Sequence, residues 1–442
     1  MSSVQEEFQR KLISDEEAAK LVKSGDRIAF TSGRDARTIG LAIAARMDEL
    51  KNVRILIPTP SFDYPWYDEG WQDSFEITVR VTNAISEEAI RAKRIDFDSG
   101  TLIPFVELEN PLYQPDICLV EVSPPDHAGF CSFGNSVWAK KRQCENAKLV
   151  IGEVNKNLIR TYGDNYIHIS EIDYFVEHVS SGEIPKGTLT GRRVKGPESY
   201  HKAIAGYVSE LIKDGDTLQI GGGRTTEPLV RLGMLDGKHD LGYHSELAPG
   251  GIIRLVKEGV ITGRCKTINP GKVVVTAIGG GTLEEMEWVN MNPLFWVVDV
   301  SYLEDPRVIS AHDNFVAINN ILAIDLTGQV TSETMGTLQI AHTGGQLAFV
   351  IGATLSKGGR SILVFPSTVK ANGRTVSRVM PTFPEGTVVT LHRNLVDIVV
   401  TEYGIARLKG KTLRQRCNDL ISIAHPDFRD ELKRAAQKRF WP

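Results

Sequence analysis

SGDRIAFTSG at residues 24–33 and DGDTLQIGGG at residues 214–223 share one layout. In each, an acidic turn leads into a short strand-like run that ends on glycine. A second pair, PDICLVEVSPPDHAGF (115–130) and NNILAIDLTGQVTSET (319–334), repeats a strand followed by a polar loop of similar length. Elements that recur in the same order point to repeated architecture. RILIP, KLVIGEV, KVVVTAI and SILVF are further short runs, rich in β-branched residues and bounded by turn residues. They alternate with helical patterns, which predicts parallel sheets flanked by helices. The expected fold class is α/β: two tandem α/β domains of related topology with mostly parallel sheets. SSGEIPKGTLTGRRVKGPE (180–198) is polar and rich in Gly, Pro and charge, and reads as the connection. It divides the chain into domains of residues 1–185 and 186–442. Ligands of parallel sheets bind beyond the carboxyl ends of strands, so the active site is expected in an inter-domain cleft.

Composition agrees with that division. The 442 residues fit two domains of roughly 100–200 residues each. Hydrophobic residues make up 41% and charged residues 24%, ordinary globular material with ample core. A net charge of −4 gives no reason to expect a nucleic-acid partner. The 5 cysteines are odd in number and show no CxxC spacing, so neither a disulfide framework nor a zinc site is expected. The stretch MSSVQEEFQRKLISDEEAAKLV is rich in acids and has no apolar core, unlike a signal or transit peptide. No apolar run reaches ~18 residues, so no membrane partner is expected. Together these features predict a cytoplasmic protein.

Three glycine clusters follow strand-like runs: GGGRTTEP (221–228), GGG (279–281) and TGGQ (343–346). Backbone without Cβ exposes N–H groups that can bind phosphate or an oxyanion, although a tight strand-to-helix turn needs the same residues. Familiar motifs fail on spacing. Glu284 stands where GxGxxG needs its third glycine, and Gly404 and Gly410 are one residue too far apart for GxxxxGK[ST]. GxSxG and HExxH are missing from the sequence. These failures argue against a nucleotide dehydrogenase, a P-loop NTPase, a serine hydrolase and a zinc hydrolase, and no metal site is expected. His127 and Cys131 are close in sequence, but their offset within a loop favours packing or a turn over a catalytic dyad.

KHDLGYHSELAPGGIIRLVKEG (238–259) contains a candidate for chemistry. DLGYHSE reads as a strand, LAPGG as a turn and IIRLVKEG as a short amphipathic helix. Glu246 therefore falls at a strand end. A carboxylate there can act as base or nucleophile, cap the following helix, or pair with an arginine. Position alone leaves these alternatives open.

HSELAPGGI resembles the segment around the catalytic glutamate of the acetyl-CoA hydrolase/transferase family of class I CoA-transferases, in its branch of 4-hydroxybutyrate and butyrate CoA-transferases. SPPDHAGFCSFG (123–134), GEVNKNLIRTYGDNYIHISEIDYFVE (152–177), VAINNILAIDLTGQV (316–330) and VVTEYGIARLKGKTLRQRCNDLISIAHPDF (399–428) extend the resemblance over nearly the whole chain. It implies that Glu246 is a covalent nucleophile and that coenzyme A or acyl-CoA is a substrate, with no tightly bound cofactor. It also implies a short carboxylic acid as second substrate and a homodimer or higher homo-oligomer. By the same resemblance, Gly221, Gly222, Gly223, Arg224 and Thr225 belong to a CoA-contacting loop. Asn319 matches an asparagine that holds the pantetheine amide. Gly344 and Gly345 match a loop at the CoA thiol, where Ala348 replaces the family's usual acid. Lys370, in STVKANG, is a candidate for CoA phosphate, with a solvated loop lysine as the alternative.

One departure bears on substrate. Related transferases for monocarboxylates carry small or apolar residues after the loop glycines, whereas this chain has Arg224, and the matching first-half loop TSGRDART adds Arg34 and Arg37. Arginine binds carboxylate bidentately, so Arg224 and Arg34 are expected to accept the second carboxylate of a short dicarboxylate such as succinate or itaconate. Alternatively, Arg224 pairs with Glu227 or Asp35 or lies on CoA phosphate. Two other functions remain open from sequence: an acyl-CoA hydrolase using the same glutamate, and a non-catalytic CoA-binding protein.

Overall fold

The computed structural model describes residues 3–100, 114–180, 196, 198–279, 282–371 and 373–442. The chain divides into two compact units. One comprises Met1–Arg193 with Val275–Tyr302, the other Val194–Val274 with Leu303–Pro442. The stretch 180–198, read from the sequence as the connection, lies mostly outside the described residues, as do two of the three glycines at 279–281.

The first unit is built on a parallel sheet. Its strands are β1 (Arg27–Phe30), β2 (Val53–Ile57), β3 (Phe75–Val79), β4 (Asp96–Phe97), β5 (Ile117–Val122), β6 (Leu149–Val154) and β7 (Tyr174–Glu177). They lie in the order β7-β6-β5-β1-β2-β3-β4, with every neighbouring pair parallel. Ile28 pairs with Ile55 on one side and Ile117 on the other, and all three are buried. Such strands, covered on both faces, read as apolar runs rather than alternating ones. One face of the sheet packs on an aromatic cluster in which Tyr64 stacks on Trp66, Phe30 meets the indole edge-on and Phe75 packs tilted against it. The later segment Val275–Tyr302 belongs to this unit because Val137 N donates to Thr276 O at 2.9 Å and Trp296 pairs with Tyr162.

The second unit repeats the plan with β8 (Thr217–Ile220), β9 (Gly242–Ala248), β10 (Phe315–Asn320), β11 (Arg360–Val364), β12 (Ile398–Thr401) and β13 (Gly404–Arg407). They run β13-β12-β11-β10-β8-β9, parallel except for the hairpin of β12 and β13. Thus β8 corresponds to β1, β9 to β2 and β10 to β5, as the repeat of 24–33 in 214–223 predicts. The second sequence pairing is out of register. ILAIDL contributes only Ala323–Asp325, which joins a small separate sheet, and the counterpart of Ile117–Val122 is Phe315–Asn320. Both are short apolar runs, and only the hydrogen-bonded neighbours decide which enters the main sheet. In each unit the strand order reverses beside the first strand, so the loops at the carboxyl ends part there and leave room for a ligand.

Candidate active site

In the second unit the carboxyl ends of β8, β9 and β10 meet at that reversal: Gly221–Gly223 follow β8, Glu246 lies near the end of β9 and Asn319 near the end of β10. Strand geometry runs through Glu246 to Ala248 rather than ending at the glutamate. Tyr243 Oη donates to the Leu247 carbonyl at 2.6 Å within this stretch. Side chains alternate across a strand, so His244 and Glu246 share a face. His244 Nε2 donates to the Leu303 carbonyl at 2.9 Å. That bond brings the next residue, Glu304, to the face on which Glu246 lies. Glu304 is fully buried and Glu246 half-buried.

Both carboxyl groups end at the start of α1 (Gln346–Leu355), whose N-cap is Gly345. A Cβ on Gly345 would stand 2.6 Å from Glu304 Oε1, 2.7 Å from Glu304 Cδ and 3.0 Å from Glu246 Cδ. Only glycine lets the helix start come this close. The first N–H groups of a helix lack intrahelical partners and its dipole favours negative charge there, so this ten-residue helix presents its positive end to the acids. Gln346 fixes that end: its Nε2 donates to the Asn320 carbonyl at 3.2 Å and its Oε1 accepts from Ser332 Oγ at 2.6 Å. Burial pushes the Glu246 pKa above the ordinary glutamate value, opposed by its hydrogen bond with Glu304. Behind the strand, burial and then Lys266 push His312 down to about 3. His244 also lies well below an ordinary imidazole, through burial first and then His312 and Lys266. Both rings are neutral at pH 7.

Asn319 makes a reciprocal amide pair with Gln219: each side-chain NH₂ donates to the other's carbonyl oxygen at 3.0 Å. A Cβ on Gly221 would stand 2.6 Å from Asn319 Oδ1, so the glycine turn lies directly on this pair. Thr226 Oγ1 closes the turn by donating to the Gly221 carbonyl. Thr225 is buried at the start of the short helix Thr226–Arg231. Arg224 is exposed, and among the described residues its guanidinium makes no ion pair, so it does not pair with Glu227. Lys370 is exposed on the hairpin Thr368–Ala371/Arg374–Ser377. Arg34, in the first unit, is engaged: its Nε is 3.3 Å from Glu121 Oε2.

The structure thus brings Glu246 and Gly345 together and Asn319 against Gly221. Glu304 was not singled out from sequence. SYLEDPR carries no motif, and the contact with Glu246 exists only once the chain is folded. Cys131 is buried with its thiol pushed up to about 12 by burial, whereas His127 is exposed, which fits packing rather than a catalytic dyad.

Residues 1–181 match the acetyl-CoA hydrolase/transferase N-terminal domain, and residues 281–436 match the C-terminal domain of the same name. The chain belongs to the acetyl-CoA hydrolase/transferase family. It is 40% identical to a 4-hydroxybutyrate coenzyme A transferase of Clostridium kluyveri, over 99% of both chains. It is 38% identical to a succinyl-CoA:cyclohexane-1-carboxylate CoA transferase of Geobacter metallireducens, over 99% of this chain and 97% of that one. The crystal structure of RipA from Yersinia pestis superposes with a TM-score of 0.89 at 31% identity, over the full length of both chains. Membership carries the α/β architecture and identifies the chain as an enzyme of the CoA-transferase type.

Proposed function

We propose that this enzyme moves CoA between an acyl-CoA and a short carboxylic acid, with Glu246 as covalent nucleophile. The observation that carries the reading is the placement of a half-buried carboxylate against Gly345, at the positive end of a helix. A carboxylate so held is desolvated and oriented, which raises its reactivity toward a thioester carbonyl. Attack by a Glu246 oxygen forms an O–C bond and expels CoA as thiolate, leaving an acyl-glutamyl anhydride. The thiolate then attacks the glutamyl carbonyl and releases the first acid, so that CoA is held as a glutamyl thioester. A second acid reverses the sequence and leaves as a new acyl-CoA. No net proton transfer is needed, and neither intermediate survives free access of water. The helix-start N–H groups are suited to stabilise the oxyanion of each tetrahedral state.

Relatives named for 4-hydroxybutyrate and for succinyl-CoA support a short-chain acid as substrate. The guanidinium of Arg224, exposed and without an ion pair among the described residues, favours a dicarboxylate, since it is available to a second carboxylate. Binding at Arg34 would have to compete with Glu121. Mixing the enzyme with acyl-CoA and analysing the intact peptides by mass tests the nucleophile. A CoA adduct on the peptide containing Glu246, lost in Glu246→Ala, is the expected result. An adduct elsewhere, or CoA released by hydrolysis with no adduct, refutes it.

A further inference from the structure

Resting on the reading of Glu246 as nucleophile, we propose that Glu304 positions it: the Glu304 carboxyl keeps the proton of a carboxyl–carboxylate pair and donates it as a hydrogen bond to Glu246. The geometry is that of two acids in one space. A single point, the place of a Cβ on Gly345, lies 2.6 Å from Glu304 Oε1 and 3.0 Å from Glu246 Cδ, so the two carboxyl groups are neighbours at the helix start. Two carboxyl groups this close do not both ionise, because like charges in a desolvated site repel strongly. The proton belongs on the fully buried member, where a charge would be most costly, and that member is Glu304. The negative charge then rests on Glu246, the member open to a substrate.

This division gives each oxygen of Glu246 a task. One accepts the proton of Glu304 and is held still. The other is free to attack. During attack the O–C bond forms, the C–S bond breaks and the electron pair leaves on sulfur, while the proton stays on Glu304. The groups around the pair do not duplicate this role. On β9, His244 spends its N–H on the Leu303 carbonyl and is neutral. His312, whose ring centroid is 4.9 Å from that of His244, is neutral as well. Lys266 Nζ donates to the carbonyls of Tyr243 and Lys272 at 3.0 and 2.9 Å. After Glu304, Asp305 and Arg307 pair with each other at 2.6 Å. The first turn of α1 carries no acid.

The pair is active with one proton. Activity falls in acid as Glu246 takes a second proton, and falls in base as Glu304 loses the first. Glu304→Gln keeps a donor that cannot titrate. Glu304→Ala removes the donor. The test is the rate of CoA-adduct formation on Glu246 in the full-length enzyme with butyryl-CoA, between pH 5 and about 9. Glu304→Ala is expected to slow adduct formation about 10²-fold, the scale for loss of one preorganised hydrogen bond at a reacting group. Glu304→Gln is expected to stay within about tenfold of wild type near neutrality and to lose the alkaline decline. Titration of Lys266 and other groups common to both proteins cancels in that comparison. Should Glu304→Ala fold poorly, the Gln variant's pH profile decides alone. A wild-type adduct formed at an unchanged rate in Glu304→Ala, or an unchanged alkaline decline in Glu304→Gln, overturns the role of Glu304 only. No adduct on Glu246 in the wild type overturns both readings.

Discussion

Adding one methyl group at Gly345 should disable catalysis while leaving the fold nearly intact. The backbone there has φ −85° and ψ 0°, which alanine adopts without strain. The difficulty is steric. The new Cβ would lie 2.6 Å from Glu304 Oε1 and 2.7 Å from Glu304 Cδ, where comfortable carbon contacts are about 3.5 Å or more. An overlap approaching ~1 Å must be relieved. Glu304 is fully buried and has little room to retreat, so the displacement falls on the Glu304–Glu246 pair or on the helix start. A misplacement of about 1 Å at a reacting group costs on the order of 10²-fold in rate. Overpacking at one site costs about 1–3 kcal/mol, which in a unit of this size lowers Tm by only several degrees. The assay is steady-state CoA transfer by Gly345→Ala beside a thermal melt of the same preparation. A kcat reduced about 100-fold in a protein that still melts cooperatively is expected. A wild-type kcat would show that the two carboxyl groups do not meet at this helix start, and the reasoning would be wrong.

Further tests address the other parts of the site. Because burial raises the Glu246 pKa, the stability this group contributes is fully present below its unfolded value and is lost as pH rises through the folded one; Glu246→Gln should therefore be more stable than wild type at pH 8 but not near pH 4, checked by thermal melts across pH. Asn319→Ala strands the buried amide of Gln219 and should destabilise the protein by about 1–3 kcal/mol in denaturant titration, as well as raising KM for acyl-CoA if the asparagine also contacts pantetheine. Arg224→Ala should lower kcat/KM for succinate or itaconate by at least about tenfold more than for acetate or butyrate, and equal losses for both classes would remove the dicarboxylate reading.

Much of the architecture was legible because it is written locally. Strands buried on both faces read as unbroken apolar runs, and RIAF and TLQI occupy the same structural position in their two units. The acidic turns before them and the glycines after them mark where the chain enters and leaves a strand. The repeat failed where that local signal is ambiguous. ILAIDL and FVAINN are both short, mostly apolar runs, and the main sheet takes the second. Glu246 could be singled out because it stands close to a strand end, two residues before Ala248 closes the strand, and the resemblance to a family then gave it a role.

What surrounds Glu246 is another matter. Glu304, Gly345 and His244 are scattered along the chain and meet through one hydrogen bond to the Leu303 carbonyl and one close helix start. Arg34 and Arg224 look interchangeable as sequence, yet Arg34 is bound to Glu121 while the guanidinium of Arg224 makes no ion pair among the described residues. Asn319 and Gln219 form an amide pair that no spacing rule foretells. The sequence by itself determined the strand pattern, the duplication and the candidate nucleophile, since these depend on neighbours along the chain. Only the tertiary structure decided which acid sits beside the nucleophile and which arginine is available. Those are properties of side chains brought together through space, where burial and distance determine whether a charge is paired, neutral or free to react.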